Sequence, residues 1–223
     1  MAQHDRMAVL NAIYDIGVVP VFYNSNLGTV ISVIEACAEG GARVVEFTNR
    51  GDLAYRTFAE ASQHVIDNNI DVILGVGSIV DAPTASLYIN SGANFVVGPL
   101  LNSDVAKLCN RRKIAYSPGC GSVSEIAAAE ELGVEIVKVF PGAEVGGPDF
   151  VKSVLGPCPW TRIMPTGGVD VTHKSLKAWF DAGVACVGVG SKLITKEILD
   201  AGDYDGLTTK VREVVRLIDE IRR

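Results

Sequence analysis

The stretch Glu135-Ile-Val-Lys-Val-Phe-Pro141 is an apolar run of strand length with a single cation, Lys138, in its middle. Successive side chains of a strand point to opposite faces, so Lys138 shares a face with Ile136 and Phe140. An ammonium buried without a partner is costly, and a neutral lysine is a nucleophile that can form a Schiff base. The run predicts a buried strand with a candidate nucleophile. The alternatives are a lysine that reaches water at the strand end and one half of a structural ion pair.

Seven further runs of this kind occur along the chain, and amphipathic segments of helical length separate them. The eight predicted strands are Val18–Tyr23, Arg43–Arg50, Asp71–Ser78, Asn94–Pro99, Lys113–Gly119, Glu135–Pro141, Arg162–Gly168 and Cys186–Ser191. The predicted helices include Asp5–Ile16, Leu27–Glu39, Leu53–Asn68, Val123–Leu132, His173–Ala182 and Leu207–Arg222. Three residues are predicted N-caps: Asp81, Ser103 and Asp170.

Eight β-then-α units predict the α/β class and a single-domain (β/α)8 TIM barrel over residues 1–223, with an additional N-terminal helix. A doubly wound sheet, which uses the same units without closing, is the main alternative. The Gly75-Val76-Gly77 turn is no dinucleotide fingerprint, because the third glycine and a following acidic ribose partner are missing. No linker or composition shift indicates a second domain.

The overall composition limits the partners and the compartment. A net charge of −6 argues against general binding of nucleic acid or of an anionic membrane. The 5 cysteines are an odd number without a CxxC pair, which indicates a reducing cytoplasm. Neither a signal core nor an apolar run of about 20 residues is present, so we expect a cytoplasmic protein that is not exported.

Polar residues gather at the predicted strand ends, where the chemistry of a barrel lies. Glu46, Thr48 and Arg50 alternate along the second strand and point to one side. Pointing inward, they would line a site together with Lys138, and Glu46 could shuttle protons there. The alternative is an ion pair that braces the barrel.

Two glycine turns follow the seventh and eighth strands, Thr166-Gly167-Gly168 and Gly188-Val189-Gly190-Ser191. Tight turns at these positions leave backbone N–H groups free to converge on an anion, so we expect a phosphate or carboxylate site. A metal site is not predicted, because His4, His64 and His173 do not stand at ligand spacing from one another or from a cysteine.

With these residues in place, the chain resembles the 2-keto-3-deoxy-6-phosphogluconate / 4-hydroxy-2-oxoglutarate aldolases. The resemblance extends from Val18 to the Ala201-Gly-Asp-Tyr-Asp205 segment, which is nearly the whole chain. Its motifs are Val19-Pro20-Val21, Gly40-Gly-Ala-Arg-Val-Val-Glu46, Gly75-Val-Gly-Ser78, Lys138-Val-Phe-Pro141 and Pro165-Thr-Gly-Gly168. Each motif alone is modest, and their joint order and spacing make the resemblance specific.

The resemblance implies a class I aldolase, free of metal and cofactor, that cleaves a 2-keto-3-deoxy acid to pyruvate and an aldehyde. It implies that Lys138 forms the Schiff base and that Glu46 is the general acid and base. The implied substrate-binding residues are Arg50 and Ser78 for the pyruvyl carboxylate, Pro99 and Phe140 for the pocket shape, and Thr166 for the substrate hydroxyls. The implied phosphate-binding residues are Gly167, Gly168, Gly190 and Ser191. The family is usually trimeric, which implies a homotrimer.

The chain departs from the family pattern near the substrate, which leaves the substrate's identity open. Thr48-Asn49-Arg50-Gly51 stands where Thr-Leu-Arg-Thr is common, and Ser78 replaces a threonine. Val189-Gly190-Ser191 replaces Gly-Gly-Ser, and Gly142 replaces an alanine. Phosphogluconate-type, phosphogalactonate-type and unphosphorylated acids such as 4-hydroxy-2-oxoglutarate all remain candidates. The other functions are a sugar-phosphate isomerase or epimerase, which would need no imine, and a non-catalytic binder of keto acids or phosphate.

Overall fold

Parallel β-strands alternate with α-helices along the chain in a computed structural model that describes residues 2–223. The strands are β1 (Val18–Phe22), β2 (Val44–Thr48), β3 (Ile73–Gly77), β4 (Phe95–Val97), β5 (Ala115–Ser117), β6 (Gly119–Cys120), β7 (Val137–Val139), β8 (Ile163–Pro165) and β9 (Val187–Val189). The helices are α1 (Arg6–Ile16), α2 (Leu27–Glu39), α3 (Ala54–Asp67), α4 (Ala82–Asn90), α5 (Ser103–Arg112), α6 (Val123–Glu131), α7 (Gly147–Leu155), α8 (His173–Asp181), α9 (Lys196–Ala201) and α10 (Tyr204–Arg222). The predicted α/β class is confirmed.

The strands form two curled parallel sheets. One has the order β5-β4-β3-β2-β1-β9, and the other has the order β6-β7-β8. Pro118 separates β5 from β6, since proline has no N–H to donate to a sheet ladder. At the other junction, Thr166 forms an isolated parallel bridge with Gly188, and the Ala185 N–H donates to the Ile163 carbonyl at 2.9 Å.

Side-chain alternation along the strands divides the apolar core into two layers. Val45, Phe47, Val137 and Val139 pack outward, in the cluster that includes the helices. The inner cluster holds two residues from α1 and others that lie mostly at or next to the starts of the strands: Val9, Ile13, Val19, Val44, Ile73, Phe95, Val97, Ala115, Ile136, Met164 and Cys186. Helix α1 therefore covers the end of the sheet where the strands begin, and the carboxyl ends of the strands are left for a site.

Most predicted boundaries agree with the structure to within a few residues. Helix α2 has the predicted bounds, and Asp81 is the N-cap of α4, accepting from the Thr84 N–H at 2.7 Å. The predictions of Ser103 and Asp170 as N-caps are wrong, since Asn102 and Thr172 cap α5 and α8. In each case a neighbouring polar side chain has the extended backbone from which a cap can reach the first free N–H groups.

Helix α10 is longer than predicted and begins three residues earlier, because the Asp203 carboxylate accepts from the Gly206 N–H at 3.0 Å. Within residues 2–223, no helix combines the length and the apolar character needed to cross a membrane.

Candidate active site

A cavity of about 840 Å³ lies among the residues that follow β1, β2, β7, β8 and β9. Most of the predicted site residues line it, namely Arg50, Phe140, Thr166, Gly167, Gly168, Gly190 and Ser191. Four do not, and these are Lys138, Glu46, Ser78 and Pro99. The cavity is of the size that small-molecule sites commonly have.

Lys138 is buried at the centre of β7, with only 6% of its surface exposed. It pairs with Gly119 on β6 and Met164 on β8, and its inward phase agrees with the prediction. Its Nζ lies 5.0 Å from the ring centroid of Phe140, which lines the cavity. Within residues 2–223, no carboxylate forms an ion pair with Lys138. A buried lysine without an ion pair fits neither of the alternatives that the sequence left open.

Pro99 packs against β6, the strand next to that of Lys138 in the sheet. A Cβ on Gly119 would lie 2.3 Å from the Pro99 carbonyl oxygen, so only glycine fits at this position. Gly119 is in turn the partner of Lys138 in the parallel pairing. The backbone of Pro99 therefore packs against β6, the strand that pairs with β7 at Lys138.

Glu46 lies on the inner face of β2, where it is 1% exposed. Its carboxyl group occupies space above Gly77, since a Cβ there would lie 1.7 Å from Oε1, and its Oε2 has no hydrogen-bond partner in the structure. Burial raises the pKa of Glu46 above its usual value, and the nearby positive charges of Lys138 and Arg50 oppose that shift. A carboxyl group with a raised pKa can both donate and accept protons near neutral pH.

Arg50 stands at the mouth of the cavity, just after β2. Its Nε donates to the Ser78 Oγ across a long contact of 3.4 Å. Ser78 has left-handed backbone with φ 61°, an uncommon conformation for a residue with a side chain. Below them, the Thr48 hydroxyl donates to the Phe22 carbonyl at 3.2 Å, which joins the ends of β1 and β2. The structure thus brings Ser78 against Arg50, which lines the cavity at this rim.

The two predicted glycine turns form a second rim of the cavity, after β8 and β9. Gly167 and Gly168 have φ of 89° and 79°, which favour glycine. None of the hydrogen bonds in the described part of the chain uses the N–H groups of Gly168, Ser191 or Lys192. The Thr166 Oγ1 is buried without a partner, and a Cβ on Gly188 would lie 2.4 Å from it. Several polar donors in this rim are therefore free.

Sequence reasoning missed several residues that line the cavity. Tyr23 and Asn24 follow β1, while Lys192 and Lys196 follow β9. Lys192 pairs with Asp170 at 3.6 Å, and Lys196 forms an ion pair with Asp200. The rule that strand ends carry the site could have found all four residues, because Tyr23 ends a predicted strand and the other three follow a predicted strand within five positions. In residues 2–223, no cluster of three histidine, cysteine or acidic side chains could hold a metal ion.

Comparison with known families agrees with this geometry. The family model described as KDPG and KHG aldolase matches residues 9–210. A 2-dehydro-3-deoxy-phosphogluconate aldolase of Haemophilus influenzae is 30% identical over 210 residues, which cover 94% of this chain and 96% of the relative. A protein of the same name from Dickeya dadantii is 32% identical, over 89% of this chain and 90% of the relative. The KHG/KDPG aldolase of Escherichia coli is 30% identical with the same coverage.

A solved structure is similar over the same length. The KDPG aldolase of Legionella pneumophila, with pyruvate captured at low pH as a covalent carbinolamine intermediate, is 25% identical and superposes with a TM-score of 0.83. The match covers 95% of this chain and 98% of the Legionella chain.

Proposed function

The chain belongs to the KDPG and KHG aldolase family, and we propose that it is a class I aldolase that acts on a 2-keto-3-deoxy sugar acid. It reversibly cleaves an acid such as 2-keto-3-deoxy-6-phosphogluconate to pyruvate and an aldehyde such as glyceraldehyde 3-phosphate. The observation that carries the proposal is a buried lysine without an ion pair, Lys138, beside the carboxyl group of Glu46 and beneath a cavity at the strand ends.

In the proposed mechanism, the neutral Lys138 amine attacks the C2 ketone to give a carbinolamine, which loses water to give an iminium. The iminium accepts the electron pair of the C3–C4 bond while Glu46 removes the proton of the C4 hydroxyl. The aldehyde leaves, Glu46 protonates C3 of the remaining enamine, and water releases pyruvate. Because the iminium serves as the electron sink, these steps need neither a metal nor a cofactor. The carbinolamine in the Legionella relative supports the first step.

The two rims of the cavity bind opposite ends of the substrate. Arg50 and Ser78 bind the pyruvyl carboxylate, since a guanidinium and a hydroxyl there offer several donors to one anion. Phe140 and Pro99 shape the space around the lysine, and the unpartnered Thr166 hydroxyl reaches the substrate hydroxyls.

A distal phosphate binds at the rim made by Gly167, Gly168, Gly190 and Ser191. Support comes from the free N–H groups of Gly168 and Ser191, because backbone donors that converge at a turn favour an anion.

We propose that β5 and β6 are one strand interrupted at Pro118, and that the Thr166–Gly188 bridge joins β8 to β9. The two sheets then make one closed (β/α)8 barrel, and residues 1–223 make one domain. The five free cysteines support a cytoplasmic location.

We propose a homotrimer, as in the family. Three exposed apolar residues support an apolar contact between copies, and each follows a strand. They are Val80 after β3 (47% exposed), Leu100 after β4 (46%) and Val123 after β6 (49%). Light scattering of the purified protein tests this assembly, and a monomeric mass would contradict it.

Turnover of 2-keto-3-deoxy-6-phosphogluconate, with pyruvate measured by a coupled dehydrogenase, tests the function directly. We expect pyruvate release by the unaltered protein and almost none by Lys138→Arg, which keeps the charge but removes the amine nucleophile. An isomerase or epimerase would release no pyruvate and could keep its activity in that variant. Parallel assays with the C4 epimer and with 4-hydroxy-2-oxoglutarate identify the preferred acid.

A further inference from the structure

The loop that carries Arg50 spans residues 49–53, between β2 and α3. Its first N–H, from Asn49, donates to the Gly77 carbonyl at 2.9 Å, so the loop is tied to β3 at its start. Its last residue, Leu53, has left-handed backbone with φ 60°. A side chain rarely adopts this conformation unless the surrounding structure imposes it. The loop is therefore held at its start by a hydrogen bond from another strand and ends in an uncommon backbone conformation.

A row of four aromatic rings extends from the end of β1 to α4, next to this loop. The ring centroids lie 5.6 Å apart for Tyr23 and Phe47, 5.8 Å for Phe47 and Phe58, and 5.2 Å for Phe58 and Tyr88. Phe47 and Phe58 are fully buried in the outer core, so the middle of the row is fixed by packing. The tyrosine hydroxyls at its two ends are the polar parts.

Each of these hydroxyls lies against a residue that is adjacent to Arg50 in the sequence. Tyr88 donates to the Asn49 Oδ1 at 2.8 Å. A Cβ on Gly51 would lie 1.9 Å from the Tyr23 Oη and 2.7 Å from its Cζ, so Tyr23 fills the space of the missing side chain. Burial raises the pKa of Tyr88 to about 12, so the hydroxyl stays a donor over a wider range of pH than an exposed tyrosine would.

We propose that Tyr23 and Tyr88 are positioning residues that hold the backbone on both sides of Arg50 and so set where its guanidinium meets the substrate carboxylate. This inference rests on the proposed function, in which Arg50 binds that carboxylate. It also explains two departures from the family pattern together. A threonine at position 51 would collide with Tyr23, and a leucine at position 49 would give Tyr88 no acceptor.

The test is a double-mutant cycle on the pyruvate concentration that gives half-maximal borohydride trapping at Lys138. The variants are Gly51→Ala, Tyr23→Leu and both together, because leucine keeps apolar contact with Phe47 but lacks the outer ring atoms and the hydroxyl. Gly156→Ala is the matched control, since a Cβ there meets only ordinary contacts of 3.7 Å or more. Tyr88→Phe tests the other end of the row.

We expect Gly51→Ala to raise the half-saturating pyruvate concentration about fivefold or more, with the trapping rate at saturation nearly unchanged. Tyr23→Leu and Tyr88→Phe should each raise it about twofold to threefold. The double variant should be no worse than Tyr23→Leu alone, because the collision is gone. Partial unfolding would instead lower the amount trapped without moving the half-saturating concentration.

An unchanged half-saturating concentration in Gly51→Ala, or effects of Gly51→Ala and Tyr23→Leu that simply multiply, would overturn the role of Tyr23. An unchanged value in Tyr88→Phe would overturn the role of Tyr88. A lack of any adduct in the unaltered protein would instead contradict the proposed function, and the inference with it.

Discussion

At the scale of single residues, Glu46 shows how the sequence sets the proton affinity of a carboxyl group. The strand phase points it inward, and Gly77 on the adjacent strand supplies the space for its carboxyl group. Burial raises its pKa, while the charges of Lys138 and Arg50 limit the rise. The cost of this arrangement is that the ionised form of the carboxyl group is poorly solvated.

A change in stability with pH follows from this raised pKa. The folded protein binds the Glu46 proton more tightly than the unfolded chain, so the contribution of Glu46 to stability is complete below its usual pKa and is lost as pH rises through the folded pKa. Glu46→Gln lacks this proton equilibrium. As pH rises above the usual pKa of a glutamate, about 4.3, we expect its free energy of unfolding to rise relative to that of the unaltered protein, until the pH exceeds the folded pKa. Denaturant unfolding at several pH values measures the difference, and a difference that is constant with pH would contradict this account.

At the scale of elements, the turns after β8 and β9 should act on one end of the substrate only. Ser191→Asp places a negative charge at the rim where we propose that the phosphate binds. We expect it to raise the KM for the phosphorylated acid about tenfold, because a carboxylate placed beside the phosphate repels it. The half-saturating pyruvate concentration for trapping should stay the same. Ser191→Ala is the control, with a smaller change, and an equal loss for both ligands would argue against a divided site.

The sequence was sufficient to predict most of the elements and the inward phase of Glu46 and Lys138, because both follow from periodicity in short apolar runs. Helices α7 and α9 and the break between β5 and β6 were not predicted. The sequence also did not predict Tyr23. In simple alternation this residue should point inward with Val19 and Val21, but beyond the last residue of β1 its ring packs on Phe47 of the outer core. The Tyr23 ring takes this direction because Gly51, on another loop, leaves space for it. A contact between distant segments of the chain is not visible in any local sequence pattern. The caps at Asn102 and Thr172 were missed for a similar reason, since adjacent polar residues compete for the same N–H groups.

At the scale of the whole molecule, the residues that stabilise the fold at one end of the strands are separate from the site residues at the other end. Helix α1 packs on the strand starts through Val9 and Ile13, which are 0% and 2% exposed. The cavity and the polar residues lie at the opposite ends. A change in α1 should therefore affect folding while it leaves the site unaltered.

Ile13→Ala tests this separation. We expect it to lower the free energy of unfolding by about 2–5 kcal/mol, because it removes buried methyl groups and leaves a cavity. Met7→Ala on the same helix is the control, since Met7 is 66% exposed and its loss should change stability by about 0.5 kcal/mol or less. Both variants should keep the half-saturating pyruvate concentration of the unaltered protein under conditions where they are folded. A large shift in Ile13→Ala would show that the two ends are coupled.

The central claim is that Lys138 forms a covalent imine with the keto acid. The most direct measurement is incubation with pyruvate and sodium borohydride, followed by mass spectrometry of the digested protein. We predict a reduced pyruvyl adduct on Lys138 and none in Lys138→Ala. An adduct on another lysine, or no adduct under conditions that trap a known class I aldolase in parallel, would contradict the account.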